Sequence, residues 1–134
     1  MTKKTVLNKE ECIIVQKEIT ILREILKKRP DCIEVLLALA DAYVETGDYQ
    51  ASLEIDSKIV QLNPHEPIGY YNLSCDFSAL GMIENAYSAL FTSVVFGFRD
   101  FVTIRQDPDL RNLREDRRYE QFYIQLRRFA AETE

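Results

Sequence analysis

The sequence predicts an all-α fold made of helical hairpins, and three observations carry that expectation. Between Ile33 and Pro64, apolar residues recur at spacings of three and four, which puts them on one face of a helix, and Gly47-Asp48 interrupts the pattern midway. A second stretch with the same pattern follows from Pro67 to Asp100, so the pattern has a period set by the step from Ile33 to Pro67. Pro30, Gly47, Pro64, Gly81 and Gly97 fall between the periodic stretches, where a helix has to stop or turn.

Residues 8–29 read as one long helix. Asn8 can cap it, with Glu11 three residues on as the reciprocal partner. Ile14, Val15, Ile19, Leu22, Ile25 and Leu26 form a broad apolar face. Lys27, Lys28 and Arg29 suit the negative C-terminal end of the helix dipole, and Pro30 stops the helix one full period before Pro64. The helix reads as an N-terminal cap for the hairpins, or as the second half of a degenerate repeat whose first half is lost. The alternative is a coiled-coil or dimer helix, because its apolar face is wider than one neighbour needs.

Residues 33–64 and 67–98 read as two hairpins in register. The same step sets Leu36 on Tyr70, Leu39 on Leu73, Ala40 on Ser74, Tyr43 on Phe77, Gly47 on Gly81 and Ser52 on Ala86. The large residues make the apolar stripe. Small ones (Ala40 with Ser52, Ser74 with Ala86) let paired helix backbones approach closely. Gly47 and Gly81 allow the positive φ that ends one helix and starts the turn. This is the pattern W-x2-L-G-x2-Y…A-x3-F…P, with Leu36 or Tyr70 in the Trp place, and over these two copies the chain resembles the tetratricopeptide repeat (TPR) family. The resemblance implies a short right-handed solenoid of helical hairpins with an N-terminal helix and a C-terminal helical cap, in one domain spanning residues 1–134. Two places depart from the family. Asp56 stands where an aromatic is usual, which calls for either partial exposure or a hydrogen-bond partner for the carboxylate. Phe98 stands where Pro is usual, so the second copy is expected to exit differently.

Residues 99–131 read as the cap. Asp100 can cap a short helix over Phe101 to Arg105, and Asp107-Pro108 is a second helix start. Leu110 and Leu113 face inward at spacing three. Asp116 is expected to start a last helix with Tyr119, Phe122, Leu126 and Phe129 as its stripe. The segment is similar to one that often closes TPR arrays, with Arg117 in the place of a usual Pro. An open array end exposes an apolar face and needs such cover.

A chain of 134 residues, 46% apolar, suits one domain with one core. No apolar run approaches the roughly 18 residues of a membrane span. Charges interrupt any signal-peptide core in MTKKTVLNKEE, so a cytoplasmic, reduced setting without membrane contact is expected. Cys12, Cys32 and Cys75 are odd in number and lack a CxxC pair, and read as small semi-buried side chains. With His65 the single histidine, no metal-ligand spacing occurs and no metal or cofactor is expected.

Charge is unevenly spread around a net of −5: residues 1–30 carry +4, residues 31–96 carry −9, and residues 97–134 balance. The arginines and aromatics near the C-terminus share their segment with as many acids, which argues against nucleic acid, because phosphate binding needs a positive field. The acidic middle likewise argues against the RNA-binding pentatricopeptide hairpins of similar period. There is no Ser–His–Asp or Cys–His set and no glycine-rich phosphate loop, so an enzyme is not expected. Asp41 and Glu45, four apart, read as a groove-lining or solvated face rather than an acid–base pair.

The TPR resemblance implies that the first helix of each repeat lines a concave groove. Its ligand-facing places fall on Glu34, Leu37, Asp41, Val44 and Glu45 in the first copy, and on Ile68, Tyr71, Asn72, Cys75, Ser78 and Ala79 in the second. Some family members grip a chaperone's C-terminal carboxylate with a Lys/Asn/Arg clamp. Here Leu37 and Asp41 occupy the Lys and Asn places, and Asn72 matches only the next repeat. The resemblance therefore implies a non-enzymatic adaptor or co-chaperone. Its groove, acidic and apolar, would take a peptide or helix of a partner protein carrying basic and apolar side chains. The alternatives are a self-associating scaffold using helix 8–29 as a homodimer face, and a secretion-chaperone-like protein. The other reading of the groove residues is that they are solvated or covered by the terminal helices.

Overall fold

The computed structural model describes residues 6–134, and the regular elements among them are all helical. The chain forms two compact units that divide between Pro64 and His65, each with an apolar cluster of its own.

The first unit contains α1 (Lys9–Lys28), α2 (Ile33–Glu45) and α3 (Tyr49–Leu62). At the start of α1 the capping box forms in both directions: Glu11 N–H donates to Asn8 Oδ1 at 2.8 Å, and Asn8 N–H donates to Glu11 Oε2 at 3.0 Å. Helices α1 and α3 both pack on α2. Val15, Ile19, Leu39, Ala42 and Tyr43 are the buried centre, with Leu22, Leu26 and Ile55 around it. Arg23 reaches across from α1 to donate to the Tyr43 hydroxyl at 2.9 Å. Of the broad apolar face expected on α1, Ile14 and Ile25 stay outside this core.

The turn from α2 to α3 is a Schellman motif. Gly47 N–H bonds Val44 O, Asp48 N–H bonds Tyr43 O, and Gly47 takes φ 78°, a conformation only glycine adopts cheaply. Asp48 then caps α3, accepting from Ala51 N–H at 3.1 Å. Asp56 is 2% exposed and accepts from the Ser52 hydroxyl at 3.3 Å, so its place is buried and hydrogen-bonded rather than partly exposed.

The second unit begins with α4 (Pro67–Ala79) and α5 (Ile83–Val95). Helix α4 starts and ends one full period after α2, and α5 starts one full period after α3. The turn repeats too: Gly81 N–H bonds Ser78 O, Met82 N–H bonds Phe77 O, and Gly81 has φ 77°. Ser74 donates to the Ala86 carbonyl at 2.8 Å, a bond between the two helices that a larger residue at either place would block. The exits differ as expected. Helix α3 runs out toward Pro64, whereas α5 closes in a third Schellman turn at Gly97, and Phe98 stacks on Tyr71 with ring centroids 4.4 Å apart.

The chain continues through α6 (Phe101–Gln106), a 3-10 turn (Pro108–Leu110), α7 (Arg111–Glu115) and α8 (Tyr119–Glu132). Asp100 caps α6 by accepting from Thr103 N–H at 3.0 Å. Leu90, Val94, Ile104, Leu110, Leu113 and Leu126 form one cluster with the face of α4, and full burial of each such side chain is worth about 1.5–3 kcal/mol. The last helix starts at Tyr119 rather than at Asp116. Asp116 ends α7, and its carboxylate accepts from Arg118 N–H and from the Tyr87 hydroxyl, which holds residues 116–118 as a turn. Those donors, Arg118 first, keep the Asp116 carboxyl well below the usual range.

Candidate functional site

The open face of α2 carries Glu34, Asp41 and Glu45, which the helical period sets on one side. Leu37 and Val44 lie among them, half-buried. The opposite side, Leu36, Leu39 and Tyr43, is the buried one, so the core fixes which way the acids point. Glu34 sits at the positive N-terminal end of α2. Its own backbone N–H and then the Cys32 thiol hold its carboxyl below the ordinary value. Asp41 is pushed the other way, by desolvation first and by the charge of Glu18 on α1 second. Glu45 ends α2, where the helix dipole disfavours an anion and no basic residue stands in the last turn. Asp41 therefore costs stability where it stands, and a cation placed over it would relieve that cost.

The matching face of α4 is closed. The Tyr71 hydroxyl and the Cys75 thiol both donate to Asp107, at the start of the 3-10 turn. The Ser78 hydroxyl accepts from Leu113 N–H at 3.1 Å, and Asn112 donates to the Ser78 carbonyl at 2.9 Å. Burial, with Asp107 beside them, pushes the Tyr71 and Cys75 pKa values up. This corrects the expectation for Tyr71, Cys75 and Ser78. All three are buried, and the chain's own C-terminal segment covers them. On the same helix Ile68 is exposed and Asn72 is half-buried. Of the residues expected to face a ligand, Glu34, Leu37, Asp41, Val44 and Glu45 share one accessible face.

Glu18 is not among the residues expected from the sequence. It joins the acidic face because α1 packs beside α2, a contact that sequence spacing alone does not give. On the other side of the first unit, a pocket of about 410 Å³ opens between α1, α2 and α3, lined by Arg23, Lys27, Lys58, Leu26, Leu36 and Ile55 among others. Its cations are engaged locally. Arg23 is on Tyr43, Lys27 is 2.7 Å from Glu24, and Lys58 donates to the Pro30 carbonyl at 2.5 Å.

Among the described residues, no three His, Cys, Asp or Glu side chains gather as a metal site, and no helix is long and apolar enough to cross a membrane.

No family model matches the chain. It is similar to a chloroplastic protein of Arabidopsis thaliana, with 30% identity over 81 residues, 58% of this chain. The match spans 24% of that protein's length.

Proposed function

We propose that the chain is a TPR-type, non-enzymatic interaction module whose α2 face binds a basic and apolar peptide or helix of a partner protein. The observation that carries this reading is the open α2 face itself, with three carboxylates around two half-buried apolar side chains. One of those carboxylates, Glu45, stands at the C-terminal end of its helix, and Asp41 is partly desolvated beside Glu18. Such a face attracts a cationic partner by long-range field and holds it through apolar contact. The TPR assignment draws support from the two hairpins, whose first helices match end for end one period apart and turn through the same Schellman bonds.

The most perturbed side chains have structural causes, which favours a binding role over catalysis. Cys75 is pushed away from the thiolate by burial, and Tyr87 is raised by desolvation and its bond to Asp116. Several arginines of the C-terminal segment are engaged within the protein, and the segment carries as many acids as bases, which favours a protein partner over nucleic acid. Arg118 pairs with Glu84 and Asp116, Arg111 with Glu115, and Arg114 donates to the Ile104 carbonyl. Three free thiols suit a reducing compartment.

The test is charge reversal, Asp41→Lys with Glu45→Lys, read against a panel of synthetic peptides. Peptides mixing Lys or Arg with apolar residues should bind the native chain, weaken as salt rises, and lose affinity for the variant. Unchanged binding by the variant would remove the α2 face from the account. A second reading, a self-associating scaffold, is favoured by the exposure of Ile14, Ile21 and Ile25 on α1.

A further inference from the structure

On α1, Ile14, Ile21 and Ile25 are 66%, 60% and 39% exposed, although each lies inside a well-formed helix. They share one side, about 100° round from the side that Val15, Ile19, Leu22 and Leu26 turn to α2. The repeat period says what that side is. Pro30 corresponds to Pro64, so Glu18, Ile21 and Ile25 correspond to Ser52, Ile55 and Ile59 of α3. In α3 those positions are buried or half-buried, as part of the hairpin with α2. Helix α1 thus presents the side that, in α3, forms the hairpin with α2, and in the described residues that side is exposed.

We propose that this side pairs, antiparallel, with α1 of a second copy of the chain. The choice of occupant rests on the order of residues along the seam: Glu11, Ile14, Glu18, Ile21, Ile25, Lys28, spaced three and four apart. Reversed and laid on itself about the midpoint between Ile19 and Thr20, the seam is self-complementary. Ile14 meets Ile25 of the second copy, and Glu11 meets Lys28 of the second copy, each twice by symmetry. A parallel pairing in register would instead set Glu11 on Glu11 and Lys28 on Lys28. The acidic first turn and basic last turn of α1 strengthen the same preference. Glu18 meets Ile21 of the second copy in the two central layers. That layer, and a contact of three isoleucines per copy against the roughly 800 Å² per partner of a standard interface, make the dimer weak and concentration-dependent.

This inference rests on the self-association reading; Glu18 borders both the seam and the acidic α2 face, so the two are told apart by Ile21 on the one and by Asp41 with Glu45 on the other. The test is sedimentation equilibrium of the full chain at low salt, from about 10 µM to about 1 mM, a range bracketing weak transient association. The native chain should pass from monomer to dimer. Ile21→Asp, at an exposed position where the monomer's helicity should not change, should weaken association at least about tenfold, because it places a charge in a desolvated seam. Lys28→Glu should weaken it by about three- to tenfold, and Glu11→Gln, which can keep the capping box with Asn8, should weaken it by a smaller factor, as expected for two symmetric ion pairs. A strict monomer at all concentrations overturns self-association altogether. A dimer unmoved by Ile21→Asp overturns the α1 seam while leaving self-association standing. A dimer lost in Ile21→Asp but indifferent to Lys28→Glu and Glu11→Gln overturns the antiparallel register.

Discussion

Cys75 reports whether the C-terminal segment stays docked on α4, and Leu113→Ala is the perturbation that should release it. Leu113 is fully buried in the cluster that also holds Leu90, Ile104 and Leu110, and its backbone N–H is held by the Ser78 hydroxyl. Truncating a fully buried leucine costs about 2–5 kcal/mol, so we take about 3 kcal/mol. If the lost contacts belong to docking of the segment, its opening becomes about 100-fold more frequent, since about 1.4 kcal/mol is tenfold. The assay is alkylation at neutral pH, followed at each cysteine by peptide mass spectrometry. In the native chain Cys75 should react slowly, because it is buried under the 3-10 turn and the anion of Asp107 disfavours its thiolate. Cys12 and Cys32, half-buried in the other unit, serve as internal references. Leu113→Ala should speed Cys75 by about two orders of magnitude at unchanged Cys12 and Cys32 rates, while opening remains fast relative to alkylation. A native Cys75 as reactive as Cys32, or a Cys75 rate unmoved by Leu113→Ala, would refute the covered face of α4.

The remaining expectations concern turns, caps and acid. Gly47→Ala and Gly81→Ala should each cost about 1–2 kcal/mol in denaturant melts, and nearly the same amount, because both take left-handed φ angles with open space around the would-be Cβ. Asn8→Ala should lower stability by about 1 kcal/mol and fray the start of α1, visible as faster amide exchange at residues 9–12. Asp116 should make the second unit acid-sensitive. Its pKa is depressed below the ordinary 3.8, so its contribution is present above that value and is lost as pH falls below it through the native value. Asp116→Asn should flatten that acid limb of the stability curve.

Much of the fold is legible because the signals are local. The Asn8 and Glu11 box, the Gly47 and Gly81 turns, and Asp100 before Phe101 each specify their structure within a few residues, and each forms. Asp116 misleads for the same reason. It carries a capping side chain, but the turn it stabilises postpones the helix to Tyr119. The site is only half legible. Periodicity gives the side of α4 that Tyr71, Cys75 and Ser78 share, but not that Asp107 and Leu113, far along the chain, return to cover it. The α1 face is the reverse case. Its apolar pattern reads as one broad face, and the structure divides it into a packed side with Val15 and Ile19 and an open side with Ile14 and Ile25, which Ile21, outside that reading, joins.

The central claim is that the acidic side of α2 meets a cationic, apolar partner. The most direct measurement is a titration of the isotopically labelled chain with the tightest basic–apolar peptide of the panel, followed by amide and methyl NMR shifts. The account predicts saturable shifts gathered on Glu34, Leu37, Asp41, Val44 and Glu45 that shrink as salt is added. Shifts gathered instead around Arg23, Lys27 and Lys58, or confined to residues 65–134, would contradict it.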